Sequence, residues 1–166
     1  MPERHPRPGR LGRGLAALLG VLVALPLLGA CSLFGDDEGE GVSVFSIEPG
    51  QCFEGPGEVK AQLSELTEVE CGEPHAHEAY AVLGYEAAGG ETPDVYPGDD
   101  ALTKFADGAC AGAFGEYVGV DYLDSSLFYT YLLPSARSWD DDDRNVVCFV
   151  TTAGEPLQDS VEGSKR

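Results

Sequence analysis

The segment Asp99-Asp100-Ala101-Leu102-Thr103-Lys104-Phe105-Ala106-Asp107-Gly108-Ala109-Cys110-Ala111-Gly112-Ala113-Phe114-Gly115-Glu116-Tyr117 decides the fold. Leu102, Phe105, Ala106, Ala109, Cys110, Ala113, Phe114 and Tyr117 recur at spacings of three and four, which predicts a helix with one apolar face. Tyr96-Pro97-Gly98 breaks the chain before it, and Asp99 or Asp100 is expected to cap its first free amides. Gly119 is the residue expected to turn left-handed just past its end. Gly108 and Gly112 weaken intrinsic helicity by about 1 kcal/mol each relative to alanine, so packing has to offset them. Cys110 lies on the apolar stripe, where a bridge would tie helix to sheet.

Strands are expected on both sides. Val42 to Ile47 carries apolar residues up to the turn Pro49-Gly50, and Gly50-Gln51-Cys52-Phe53 follows it. Val69 to Cys71 and Glu78 to Tyr85 read as a second pair of strands, separated by the bend Gly72-Glu73-Pro74. Beyond the helix, Leu127 to Leu133 and Asn145 to Thr152 are rich in aromatic and β-branched residues and read as buried strands. Between them, Pro134 to Trp139 predicts a short helical turn before the acidic run Asp140 to Asp143. One main amphipathic helix on a mostly antiparallel sheet is the economical α+β solution, with a folded region over residues 42–154. The last residues, 155–166, read as a disordered tail.

Upstream, Leu28-Gly29-Ala30-Cys31 follows an apolar stretch from Leu15 to Leu28 and the basic residues Arg4, Arg7, Arg10 and Arg13. This is the form of a lipoprotein signal peptide over residues 1–30, with cleavage before Cys31 and diacylglycerol on its sulfur. The stretch is short against the roughly 20 apolar residues that span a bilayer. An uncleaved anchor, or ordinary cleavage leaving Cys31 free, is the rival reading, and Cys31 discriminates between them. Residues 31–41 contain Gly35-Asp36-Asp37-Glu38-Gly39-Glu40-Gly41 and read as a flexible acidic tether. The expected location is the extracytoplasmic face of the cell membrane, with the membrane engaged through the lipid.

Four further cysteines, Cys52, Cys71, Cys110 and Cys148, form an even set in a chain expected outside the cytoplasm, which argues for disulfides. Three pairings are possible; chain order favours Cys52–Cys71 and Cys110–Cys148, each closing a modest loop. A bridge of that size contributes about 3 to 4 kcal/mol on the chain-entropy model. Charge excludes another class of function. Of 10 basic and 29 acidic residues, four and one lie in 1–30, which leaves six against 28 and a net charge of about −22. Such a field repels phosphates, so no nucleic-acid partner is expected.

Gly50-Gln51-Cys52-Phe53, Val69-Glu70-Cys71-Gly72-Glu73-Pro74-His75-Ala76-His77-Glu78, Tyr96-Pro97-Gly98, Cys110 with Phe114 and Tyr117-Val118-Gly119, Pro134 with Trp139, and Asp143-Arg144 before Cys148 form an ordered set. Over about Val42 to Thr152 it resembles the septum-formation domain family, envelope-anchored proteins of high-GC Gram-positive bacteria. Asp142 stands where that pattern has glycine. The resemblance implies a place in cell division and the envelope, and no defined chemistry.

Among candidate site residues, His75 and His77 would share a face if both lay on one strand, and with a carboxylate they could ligate zinc. The plainer reading has them shaping a bend and bonding backbone carbonyls. Asp140 to Asp143 lacks the spacing of a calcium loop and reads as a solvated turn, with Arg144 free to pair with a carboxylate of the domain. Trp139 is either core or an anchor for a partner, with core favoured. No serine elbow or phosphate loop is present, and no cofactor is expected. The function expected is a non-catalytic, lipid-anchored module that binds an envelope protein, a division protein or a wall polymer. An envelope metal-binding protein or hydrolase using His75 and His77 is the alternative. Cys31→Ala is expected to shift the protein from the membrane fraction to the soluble or unprocessed pool on cell fractionation; unchanged membrane association of a cleaved variant would exclude lipid as the anchor.

Overall fold

A computed structural model describes residues 41–55 and 63–166. The expected leader over residues 1–30, the expected lipidation site Cys31 and most of the expected tether lie outside the described residues. Helix α1, Asp99–Val118, forms where the periodicity places it. Its buried row is Leu102, Ala106, Cys110, Phe114 and Val118, flanked by half-buried Phe105, Ala113 and Tyr117. Gly119 ends it with φ 87°, its amide donating to the carbonyl of Gly115. The start differs from expectation. Gly98 is the N-cap and supplies no side-chain hydrogen bond, because Asp99 is already inside the first turn, where it accepts from the Tyr96 hydroxyl. Two aspartates in that turn still complement the positive end of the helix dipole.

The sheet is antiparallel throughout, in the order β1-β3-β2-β4-β6-β5. Its strands are β1 (Gly41–Ser43), β2 (Cys52–Phe53), β3 (Glu65–Val69), β4 (His77–Gly84), β5 (Phe128–Leu132) and β6 (Asn145–Thr151). This is the disulfide-braced α+β architecture that the sequence predicts. The strand expected over 42–47 stops at Ser43 and becomes a single 3-10 turn, Val44–Ser46, because the Ser43 side chain accepts from the Phe45 amide and bends the chain. The short helix α2, Ala136–Asp140, is set by a reciprocal cap in which Ser135 and Ser138 each bond the other's backbone amide.

Alternation along the central strands divides the core into two faces. On β6, Val146, Cys148 and Val150 face α1, while Val147 and Phe149 belong to the opposite cluster with Ile47, Phe53, Leu66 and Ala79. A bulge between Ala79 and Ala81 interrupts the β4–β6 register. It puts both Tyr80 and Ala81 on the helix side, where the buried Tyr80 hydroxyl donates to the carbonyl of Cys110 at 2.7 Å. Both disulfides are those favoured by chain order. Cys52–Cys71 spans 5.2 Å between Cα atoms beside the sheet's short strand, and Cys110–Cys148 spans 5.6 Å between α1 and β6.

The expectation of a disordered tail over 155–166 is overturned. Leu157 and Val161 are 1% and 0% exposed and belong to the core under α1. Leu157 exchanges both backbone hydrogen bonds with His75, at 2.8 and 3.0 Å. The amides of Gly163 and Lys165 donate to the carbonyls of Tyr117 and Val118, satisfying acceptors that the helix end leaves unpaired. The tail is thus the C-terminal closure of the helix, and its two apolar residues, four apart in a polar context, are what bury it. Leu157→Ala is expected to destabilise the domain by about 2–5 kcal/mol in urea unfolding; a loss below about 0.5 kcal/mol would show that the tail contributes nothing.

Candidate functional site

Polar chemistry concentrates around Glu78, on the helix side of β4. Its carboxylate is fully buried and accepts from the hydroxyls of Tyr117 and Ser160, each at 2.6 Å, and from the Val161 amide at 2.8 Å. Burial, together with the hydrogen bond to Glu78, pushes the Tyr117 phenol well above its ordinary range, so it remains a donor. His75 is 1% exposed; its Nδ1 lies 2.8 Å from the Glu73 carbonyl, and its Nε2 lies 3.6 Å from Glu78. Since a carbonyl only accepts, Nδ1 carries a proton and Nε2 is the atom presented to the carboxylate.

His77 belongs to the other face. Its ring stands edge-on to Phe149 with centroids 6.0 Å apart, beside Leu63 and Leu66. Its Nδ1 is buried with no hydrogen-bond partner among the described residues. Burial first, and His75 second, lower its pKa below 6.5. The two histidines therefore do not form the shared zinc face that strand alternation predicts. His75 precedes β4 in an isolated bridge to Leu157, so the alternation that would align it with His77 does not reach it. The groups that do converge are Cys52, His75 and Glu78, with one donor atom of each within 4.8 Å of the others. The sulfur of Cys52 is committed to Cys71.

Trp139 is 1% exposed, so it is core and not a docking anchor. It packs edge-on against Tyr85 and Tyr96, and its indole N–H donates to the Asp94 carbonyl at 3.0 Å. The Arg144 guanidinium lies 4.1 Å over its ring and donates to the Trp139 carbonyl at 2.6 Å. Among the described residues the carboxylate partner expected for Arg144 is the exposed Asp142, at 3.7 Å, so the stacked and hydrogen-bonded geometry carries its structural role.

A surface of different character lies on the face of the sheet away from α1. Val82, Leu132 and Val147 form the floor of a cavity of about 330 Å³, Val44 and Phe45 form one wall, and Asp141, Asp142 and Asp143 close one end. That volume is in the lower range of ligand pockets. Phe45 is 66% exposed at its edge. Arg144, held on Trp139, reaches Asp142 at 3.7 Å, and one cation against three aspartates leaves a net negative charge for whatever enters. The chain bend at Ser43 creates this wall, and Phe45 and Val44 were not singled out from sequence, where they read as part of a strand. Glu78 is visible in the sequence as a charge directly ahead of the apolar run Ala79 to Leu83.

Geometry of this kind defines a disulfide-braced α+β domain with a buried polar hub and an open, acid-ended apolar groove. Residues 38–162 match the family model described as septum formation, and the chain belongs to the septum-formation family. No curated protein and no solved structure matches it.

The depressed His77 pKa has a definite sign for stability. As pH falls through 6.5 the unfolded chain takes up a proton on this ring before the folded chain does, so stability drops until the folded pKa is passed and then levels. His77→Asn is expected to flatten part of the stability change between about pH 7.5 and pH 5.5, and NMR titration should place the His77 midpoint below 6.5. A midpoint at or above that value would contradict the buried placement of the ring.

Proposed function

We propose that this protein is a lipid-anchored, extracytoplasmic, non-catalytic module of envelope growth and septation that docks an envelope or division protein in the groove opposite α1. Three lines support the reading. Membership of the septum-formation family supplies the process. The Leu28-Gly29-Ala30-Cys31 box supplies the anchor, with two acyl chains giving stable membrane attachment where one gives only marginal binding. The groove supplies the docking surface.

The observation that carries the proposal is the union, in one concavity, of an apolar floor with Asp141, Asp142 and Asp143 at its end. An aliphatic or aromatic side chain entering over Leu132 and Val147 leaves water, while lysine or arginine beside it meets the aspartates. The partner is therefore a protein segment with an apolar residue flanked by basic ones. Anionic wall polymers and phospholipid headgroups meet repulsion at the same place.

A photocrosslinking residue at position 45, in cells making the full-length protein, is expected to capture one discrete adduct. The same residue at Leu123, which is 87% exposed on the short turn Tyr122–Asp124, should not. Asp141→Lys with Asp142→Lys, both at exposed positions, should remove the adduct while leaving the amount of protein unchanged. Equal capture from positions 45 and 123, or an adduct indifferent to the charge reversal, would sink the docking role of the groove.

A further inference from the structure

The buried cluster beneath the Cys52–Cys71 bridge has the composition of a metal site with one ligand locked away. Cys52 and Glu78 are directly opposite one another in the β2–β4 register, so their side chains leave the sheet on the same side. His75 reaches the same spot from the preceding bend. All three are buried, at 0%, 0% and 1% exposure, and one donor atom from each lies within 4.8 Å of the others. His75 Nε2 is wholly buried and has no hydrogen-bond partner among the described residues. Its Nδ1, bound to the Glu73 carbonyl, fixes the ring so that Nε2 points at Glu78. That outer hydrogen bond is the arrangement that metal-bound histidines use to set their tautomer and orientation.

We propose that reduction of the Cys52–Cys71 disulfide converts this cluster into a binding site for a zinc-class divalent ion, held by Cys52 Sγ, His75 Nε2 and a Glu78 carboxylate oxygen. The inference does not depend on the groove. Thiolate, imidazole and carboxylate are the donor set that zinc takes, with bonds of about 2.0–2.3 Å and donor atoms therefore about 3.3–3.8 Å apart. The present separations approach that spacing, and rotation about the Cα–Cβ bond of Cys52, which the bridge forbids, supplies the remainder. The bridge also has an asymmetry that makes it a gate. Cys52 is fully buried, while Cys71 lies part-exposed in the turn between β3 and β4, where a reductant can reach it.

The chemistry balances with a dithiol as reductant. Its thiolate attacks the bridge, the Cys52–Cys71 bond breaks, two electrons and two protons pass to the pair, and the reductant leaves as its own disulfide. Cys52 then releases its proton to solvent as its thiolate binds the ion. Because the ion binds only the reduced form, it favours that form by mass action; at an ion concentration about 100 times its Kd the dithiol-to-disulfide ratio rises about 100-fold. Metal occupancy and the disulfide are mutually exclusive.

The test uses the full chain carrying Cys71→Ser, which frees Cys52 without a reductant and leaves Cys110–Cys148 intact, with cobalt(II) as the probe. One cobalt per chain is expected, with a thiolate-to-cobalt absorption in the near ultraviolet that zinc displaces. Adding His75→Ala or Cys52→Ser should abolish the band, and adding Glu78→Gln should weaken binding by about tenfold or more. Oxidised wild-type protein should show no band. Absence of the band in a Cys71→Ser variant with native circular dichroism, or a band that survives His75→Ala, overturns the site. A second measurement covers a variant that does not fold. With wild-type protein under a phosphine reductant, zinc should slow alkylation of Cys52 at least about tenfold and leave Cys71 unaffected. Equal alkylation rates for Cys52 with and without zinc overturn the proposal.

Discussion

The buried carboxylate of Glu78 is the constraint from which most of this structure follows. A charge taken out of water is tolerated only when its acceptor positions are filled, and breaking such an arrangement costs about 3–5 kcal/mol. The donors here come from separate parts of the chain: Tyr117 from the last turn of α1, Ser160 and the Val161 amide from the C-terminal segment. Satisfying one side chain of β4 therefore fixes where the helix ends and where the tail lies. The Cys110–Cys148 bridge and the Tyr80 hydroxyl hold the middle of the same helix to β6 and β4. Between them these contacts leave α1 a single position on the sheet.

Closing one face of the sheet so completely leaves the other to do something else. The bend at Ser43 lifts Phe45 away from the sheet, and α2 delivers the acidic run to the end of the resulting groove. Asp142 adopts φ 64°, the left-handed conformation that glycine takes most easily and aspartate tolerates. That turn reverses the chain so that Arg144 folds back onto Trp139, where it stays within 3.7 Å of the exposed Asp142 and leaves the acidic run with a net negative charge. A glycine at position 142, as the family resemblance leads one to expect, serves the same backbone turn without the added charge.

Much of the fold was legible because local chemistry and global packing agree there. The three- and four-residue spacing from Leu102 to Tyr117, the β-branched run Val146 to Val150 and the order of the four cysteines each point to what forms. The cap at Gly98, the truncated first strand and the histidines were not. In each of these a local rule was displaced by a contact made at a distance or by a neighbour: Asp99 was taken by Tyr96, the Phe45 amide by Ser43, and His75 by Leu157. The tail departs furthest from its local pattern, since Leu157 and Val161 look isolated until the core under α1 that receives them exists.

Composition and order alone determined that this chain builds an oxidised α+β domain around one amphipathic helix, because periodicity and cysteine content are properties of neighbouring residues. Only the tertiary structure decided which polar groups meet. Cys52, His75 and Glu78 converge, and His77 turns to the opposite face, because strand register and an isolated bridge set those positions. Hydrogen bonds to a buried charge act through space, between residues as far apart in the chain as Glu78 and Val161, and no local pattern of residues encodes them.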